Sequence, residues 1–456
     1  MNISRRLLGG KSRGTILIVA MWIVLVLAGL ALVLARSMRV EIAASANRVA
    51  AMQADWTARA ALAAVVSEVD GTDGSPLSES VQGYEGVQVG NGYYWVLNPS
   101  LDEDTSYSFG IRDEASRVSL NSATSDVLLK LPGMTAEIAA AIVDWRDEDS
   151  EVSPGGAESE YYLLLDDPYY CKNASFETVE EVLLAKDTTT DFLFGEDANR
   201  NGFLDENEND AGETEPGDDR DGRLDRGVLD YLTAFSREPN VDADSEERIN
   251  VNDVDATALS ELLRSVVPES RYFQMMDRVR SGRPYQNVLD FHFRAELTSE
   301  EFAQLADRLT TSRDDVLNGL VNVNTAPRAV LLCLPDLEET DVDALVQRRQ
   351  SPDTDLSSVA WVADVLDEEK AVAIGGLITA RSFQFSADIV AASGNGRAFR
   401  RYRAVLDASA SPPKLLLWKD LTDLGWPLDG EILESLRRGT FEEEQGATIV
   451  AGSGIL

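Results

Sequence analysis

The residues best suited to chemistry run from Asp197 to Glu208, in the stretch DANRNGFLDENE. They fit the pattern D-x-[DN]-x-[DN]-G-x5-E at every defined position. Asp197, Asn199 and Asn201 fall at loop positions one, three and five. Gly202 at six permits the sharp turn, and Phe203 at seven offers its backbone carbonyl. Leu204 at eight is the apolar anchor, Asp205 at nine ligates directly or through water, and Glu208 at twelve can ligate through both oxygens. This is a hard-oxygen set of the kind Ca²⁺ requires, whereas Mg²⁺ prefers a tighter octahedron that keeps its waters. The expectation is a structural Ca²⁺ site in an EF-hand-like loop, weighed against a solvated acidic loop.

A second stretch, GDDRDGRLDRG, echoes the first. Asp219, Asp221, Gly222, Leu224 and Asp225 fit positions three, five, six, eight and nine. Gly217 and Val228 stand at one and twelve, so both terminal ligands are missing, and Asp218 or Glu215 are the candidates to replace them. Between Glu196 and Arg226 there are twelve acids and four bases. Without bound cations so much like charge repels itself. Calcium would order the segment and add its binding free energy to folding. The flanks are not long amphipathic helices, which suggests isolated loops rather than a paired sensor.

The frame that holds these loops is a chain of 456 residues, 44% hydrophobic, with a formal net charge of -38. It is globular and long enough for two or three domains. A surface this acidic repels nucleic acid phosphate and anionic lipid headgroups and attracts cations, so no nucleic acid partner is expected. Two cysteines, Cys171 and Cys333, are too few for a disulfide scaffold, and pairing and two buried thiols both stand as readings. The single His292 argues against histidine-ligated zinc and a histidine-based triad. No P-loop, GxGxxG unit or nucleophile elbow is present. With 79 acids no carboxylate pair stands out for glycoside hydrolysis, so no enzyme activity is expected.

Arg5, Arg6, Lys11 and Arg13 precede 21 uncharged residues, Thr15 to Ala35. At 1.5 Å per residue that run spans roughly 30 Å, a full hydrocarbon core. Its length exceeds the h-region of a cleavable signal, about 7–15 residues, and the basic flank orients the N-terminus toward the cytoplasm. Ala-rich helical spacing continues beyond Arg36, predicting one helix over 15–69. Strand patterns follow in VQGYEGVQVGNGYYWVLNPS and SYSFGIRDEASRVSLN, then a long helical block. Two alternating segments flank Gly394-Asn395-Gly396, a hairpin signal, and KLLLWKDL reads as a further strand. The tail from about Gly430 reads as loosely ordered.

The helical block contains an internal echo. VSLNSATSDVLLKLPGMTAEIAAAIVDWRDED, RINVNDVDATALSELLRSVVP and LVNVNTAPRAVLLCLPDLEETDVDALVQRRQS each pass from a strand-like start through Asn into a helix. Asn121, Asn250 and Asn324, with Ser122, Asp253 and Thr325, are expected to act as turn or cap residues. The units resemble helix-hairpin-helix motifs. Their turns, LPGMTAE and LPDLEET, are poor in the glycine that phosphate binding needs, so packing is favoured over DNA contact.

The short basic leader ending in Gly14, followed by a half apolar, half amphipathic helix, resembles a type IV pilin or pseudopilin precursor. The resemblance implies cleavage by prepilin peptidase after Gly14, a mature N-terminus at Thr15, and its methylation. That family usually carries glutamate at the fifth mature position, which here is Val19. The departure matches the K-type minor pseudopilin of type II secretion (general secretion pathway protein K), which lacks that acid. A buried carboxylate costs free energy unless paired, and a subunit at the tip has no neighbour above it to pair with. DWRDEDSEVSPGGAESEYY also resembles that family's Asp-Trp-x-Asp-x-Asp stretch followed by Gly-Ala-Glu and a Tyr pair. Asp147, Asp149 and Glu158 thereby become further candidate cation ligands, with helix capping and solvent exposure equally open.

The resemblance implies an α+β chain. Its pseudopilin fold has a long N-terminal helix and an antiparallel sheet, interrupted by a large inserted α-helical domain. The division would be leader 1–14, membrane and amphipathic helix 15–69, first part of the sheet 70–118, inserted α-domain 119–375 with calcium loops at 197–228, closing strands 376–425 and tail 426–456. The implied role is capping the type II secretion pseudopilus, in pseudopilus assembly and protein export across the outer membrane. Implied partners are other minor pseudopilins, the inner membrane, prepilin peptidase and secreted substrates. The chain would be single-pass in the inner membrane, with a cytoplasmic N-terminus and a periplasmic bulk. Two alternatives are a membrane-anchored calcium-binding minor pilin or adhesin, and a DNA-uptake receptor built on the hairpin repeats.

Overall fold

The computed structural model describes residues 13–77, 83–101, 105–214, 216–253 and 257–441. Helix α1, Arg13–Val69, has 57 residues, about 85 Å at 1.5 Å per residue. Its N-terminal half exposes apolar side chains on all sides, from Ile16 through Leu34. That half is long and apolar enough to cross a membrane, with a mean hydropathy of 3.1 in its most apolar window. In the other half Ala50, Ala54, Ala58, Ala61, Val65 and Val69 are fully buried. Spacings of three and four put them on one stripe, and the small alanines let the helix axis lie close to a sheet.

That sheet is built from β1 Val87–Val89, β2 Gly92–Leu97, β3 Arg112–Asp113, β12 Gln384–Ser393, β13 Phe399–Asp407 and β14 Lys414–Asp420. Its order is β1-β2-β12-β13-β14, with β3 pairing farther along β12, and each of these pairs is antiparallel. Every residue of β12 is buried, because both faces of the sheet are covered. Tyr94, Val96, Phe385, Ala387, Ile389 and Ala391 pack with the α1 stripe. Trp95, Val390 and Ala392 pack on the opposite side.

On that second face lies α13, Gly430–Arg438. It corrects the expectation of a loosely ordered tail from Gly430. Asp429 caps the helix by accepting from the Glu431 N–H at 2.8 Å. Ile432, Leu436 and Phe441 are buried against Trp95 and its neighbours. A single apolar turn among acids is a weak sequence signal, and the uncovered face of the sheet supplies the missing stabilisation. Residues 442–456 of the expected tail lie outside the described residues.

Between β3 and β12 the chain forms α2 Ser125–Leu128, α3 Ala136–Arg146, α4 Ser159–Tyr162, α5 Thr190–Phe194, α6 Thr257–Val266 and α7 Glu269–Gly282. These are followed by α8 Val288–Ala295, α9 Ser299–Ala303, α10 Arg328–Leu331, α11 Glu339–Arg349 and α12 Glu368–Ile374. Short parallel pairs join β4 Val118–Ser119 to β5 Leu232–Thr233, β7 Ile249–Asn250 to β8 Leu309–Thr310, and β10 Val321–Asn322 to β11 Ile378–Thr379. β6 Arg237–Pro239 pairs antiparallel with β9 Val316–Asn318. One apolar cluster runs through this block.

The echo in the sequence has a physical basis that differs from helix capping. Asn121 donates through Nδ2 to Phe176 O and Ala234 O at 3.1 Å each, and accepts from Phe176 N at 2.7 Å. Asn324 donates to Leu356 O at 2.9 Å and Ala380 O at 3.0 Å. In the middle unit the equivalent clamp is Asn252, which exchanges bonds with Tyr285 N and O at 2.8 and 2.9 Å, and not Asn250. An arginine then satisfies the strand-end carbonyls of each unit. Arg146 donates to Leu120 and Ala123, Arg283 to Val251, and Arg349 to Val323 and Ala326. These asparagines and arginines pair buried backbone groups that would otherwise be unmatched. Of the expected caps, Thr325 instead donates to Asp113, Asp253 pairs with Arg313 at 3.3 Å, and Ser122 packs beneath Gly319; Thr124 caps α2.

Candidate metal centres

The Asp197–Glu208 loop begins just after α5. Arg200 and Gly202 take positive φ values of 57° and 70° and fold the chain back on itself. Asp197 accepts from Asn201 N at 3.0 Å through Oδ1 and from Gly202 N at 2.9 Å through Oδ2. Asn199 Oδ1 accepts from Asn201 N at 3.0 Å, and Asn201 Oδ1 from Phe203 N at 2.7 Å. Glu208 closes the loop, accepting from Ala198 N and Asp205 N at 3.1 Å each. Asn199 Nδ2 and Asn201 Nδ2 both donate to Asp205 Oδ2, at 2.6 and 3.1 Å. The five side chains expected to ligate therefore converge. Ligation by the Asn199 and Asn201 oxygens requires those amides to turn over, since their nitrogens now face Asp205.

Electrostatics make this convergence informative. Asp197 is 4% exposed and Glu208 1% exposed. Burial pushes the Asp197 carboxyl up to about 6, and the nearby Asp230 adds to the shift. Burial pushes Glu208 up to about 8, with Asp197 and Asp205 raising it further. Burial likewise raises Asp205, against the pull of the two asparagine amides. Three acids turned into one low-dielectric pocket cost free energy unless a cation joins them. The donor set is carboxylate and amide oxygen, which suits Ca²⁺. Asp197, Asn199, Asn201, Asp205 and Glu208 would hold it, with Phe203 contributing its carbonyl.

The second loop is more open. Asp219, Asp221 and Asp225 are exposed. Each accepts from the N–H two residues on, at 3.0, 2.7 and 2.9 Å. Asp218 gathers the N–H groups of Asp210, Ala211 and Gly212, and also accepts from Arg220 N within the second loop at 2.9 Å. Glu215 lies outside the described residues. Glu196 also reaches this loop, accepting from Asp219 N at 3.2 Å and Asp225 N at 3.3 Å. Burial raises Glu196, and Asp219 and Asp225 add to the shift. It precedes the first loop in the chain, so motif spacing does not connect it with the second.

A third group lies at Asp147, Asp149 and Glu158, whose carboxylate oxygens sit within 4.8 Å of one another. Asp147 follows α3 as its C-cap residue, and Glu158 is the N-cap residue of α4 without making a side-chain cap bond. Glu158 is 2% exposed, yet neither carboxylate oxygen finds an N–H or O–H donor. Burial raises it, the Cys171 thiol partly offsets that, and Asp144 and Asp147 add repulsion. Asp147 Oδ1 is likewise buried and unmatched. Neither helix capping nor solvent exposure accounts for Glu158; a cation of about 2.4 Å ligand distance would.

Gly14 and Thr15 lie in the first turn of α1, and residues 1–12 of the expected leader are outside the described residues. Cys171 and Cys333 are buried free thiols, so they do not pair. His292 is buried and stacked on Phe302 at 4.4 Å, away from all three acidic groups.

Residues 113–193 match the family described as "Type II secretion system (T2SS), protein K". The matched span starts at Asp113 on β3 and contains the Asp147–Asp149–Glu158 group. Among solved structures the chain is similar to one from "The Crystal Structure of the GspK-GspI-GspJ complex from enterotoxigenic Escherichia coli Type 2 Secretion System". The identity is 13%, the match covers 81% of this chain and 96% of that one, and the TM-score is 0.41. No curated protein matches.

Proposed function

We propose that this chain, whose residues 113–193 match the type II secretion system protein K family, is a member of that family and the minor pseudopilin that caps the secretion pseudopilus. The family match is the observation that carries the reading. The single apolar helix α1 supports an inner-membrane anchor, with a cytoplasmic N-terminus set by the basic leader. Prepilin peptidase removes residues 1–14, and the apolar run stays. The absence of an acid at Val19 suits a subunit with no neighbour above it to pair with. The helical block between β3 and β12 is too bulky for the shaft of a narrow fibre and suits its end. The three repeated units then serve as packing elements. Other minor pseudopilins are the partners along α1, and secreted proteins meet the exposed block during export.

Calcium is the structural ion in this reading, at Asp197–Glu208 first and at the Asp147 group second. Intact mass of the full-length protein extracted from membranes tests the processing. The expected species begins at Thr15, with one added methyl. A species beginning at Met1 sinks the reading, as does normal export in a strain lacking this chain.

A further inference from the structure

We propose that the Asp197–Glu208 loop is a cation-dependent latch fastening the helical block to the sheet, an inference that rests on the calcium reading of this loop. Its outer backbone is gripped from the sheet side. Arg401 on β13 is fully buried and holds Asp388 on β12 with Nε and Nη2, at 2.9 and 2.8 Å. Its remaining donors go to the loop, Nη2 to Arg200 O at 2.7 Å and Nη1 to Asn199 O. Arg226 joins Gly202 O, at 2.8 Å, to Ser100 O in the connection after β2. Phe203 stacks on Tyr107 at 4.5 Å. Gly202 sits so close to Pro99 that a Cβ would meet it at 2.3 Å.

These contacts use backbone carbonyls and ring positions that exist only when residues 199–203 hold their turn. The same turn is what gathers Asp197, Asn201 and Glu208. An ion on the inner side therefore stabilises the carbonyl positions that Arg401 and Arg226 grip on the outer side. Without the ion, repulsion among buried Asp197 and Glu208 and half-buried Asp205 opposes the turn. Ion pairs bridge the bodies independently, among them Arg112 to Asp230 and Lys419 to Glu180, at 2.7 Å each, and Arg237 to Asp407. Loss of the ion thus loosens the seam without separating its halves.

The test is hydrogen exchange on the full-length protein in detergent, with calcium or with chelator, alongside calcium counting by equilibrium dialysis. Calcium is expected to slow exchange about tenfold at 197–208 and, together with it, at 98–101. Glu208→Gln should bind one ion fewer and lose both effects. Arg226→Lys should bind calcium as before and keep protection at 197–208, but lose it at 98–101. Calcium protection confined to 197–208 in the unaltered protein overturns the latch while leaving the calcium site standing. An unchanged ion count in Glu208→Gln overturns the calcium reading of this loop, and the latch with it.

Discussion

Gly92 on β2 lies directly against Thr57 of α1, so that a Cβ on the glycine would meet Thr57 Oγ1 at 2.2 Å and Ala392 O at 3.0 Å. The alanine stripe of α1 makes this approach possible, and the glycine completes it. Gly92→Ala is expected to destabilise the sheet–helix layer by about 1–3 kcal/mol. Adding Thr57→Ala should recover part of that loss. Denaturant midpoints of the single and double variants decide it. Equal midpoints for Gly92→Ala and the unaltered protein would mean that the layer is not packed this closely.

Calcium should raise the melting midpoint of the full-length protein. At a hundredfold excess over its dissociation constant, one site adds about 2.7 kcal/mol. Asp197→Asn with Glu208→Gln removes two carboxylates from a crowded buried pocket. Without calcium that variant should melt no lower than the unaltered protein, since like-charge repulsion is relieved. With calcium it should gain less. An equal gain in both proteins would place the stabilising ion elsewhere.

Asp113 links the end of β3 to the helical block, accepting from Ser382 Oγ at 2.6 Å, Asn322 Nδ2 at 3.3 Å and Thr325 Oγ1. It is partly buried, and that burial pushes its carboxyl from 3.8 up to about 6 despite the hydroxyl donors. A folded value above the unfolded one means that the neutral form is favoured in the fold. Its contribution is complete below about 3.8 and lost as pH rises through about 6. Asp113→Asn, which stays neutral, should therefore gain stability relative to the unaltered protein between pH 4 and pH 7.5, by up to roughly 3 kcal/mol. Denaturation of both proteins at the two pH values measures the difference, and a gap independent of pH would refute it.

Much of this architecture is legible in the residues. The α1 helix, the β12–β13 hairpin around Gly394-Asn395-Gly396 and the convergent acids of 197–208 follow from local periodicity, turn chemistry and motif spacing. What stays hidden depends on contacts distant in the chain. Glu196 reaches Asp219 and Asp225 only because Gly195, at φ 58°, turns the backbone against Asp225 O. By contrast, the Asn252 clamp is legible, since Ile249–Asn252 aligns with Val118–Asn121 and Val321–Asn324. The helix α13 forms where an apolar sheet face needs cover, which its own short pattern does not reveal. Arg401 looks like any strand arginine until Asp388 and the loop carbonyls are placed around it.

The final prediction concerns the helix where it leaves the apolar stretch. Val49, Met52 and Trp56 of α1 are exposed, Trp56 by 66%, and with Val89 and Asn91 they line one groove beside β1 and β2. The opposite side of the same turns carries the buried alanines, so this face is not used within the chain. Through exposed Met38 and Ile42 on the same face it continues the apolar surface of residues 16–34 beyond the membrane edge, so a helix packed along that segment would extend naturally into the groove. Under the proposed function that helix belongs to another pseudopilin. Trp56→Glu should leave the melting of the isolated protein within about 0.5 kcal/mol, as for an ordinary surface change. Co-purification of other pseudopilins from membranes should fall markedly with this variant and recover with Trp56→Phe. Undiminished co-purification with Trp56→Glu would show that the neighbouring helices pack on a different face of α1.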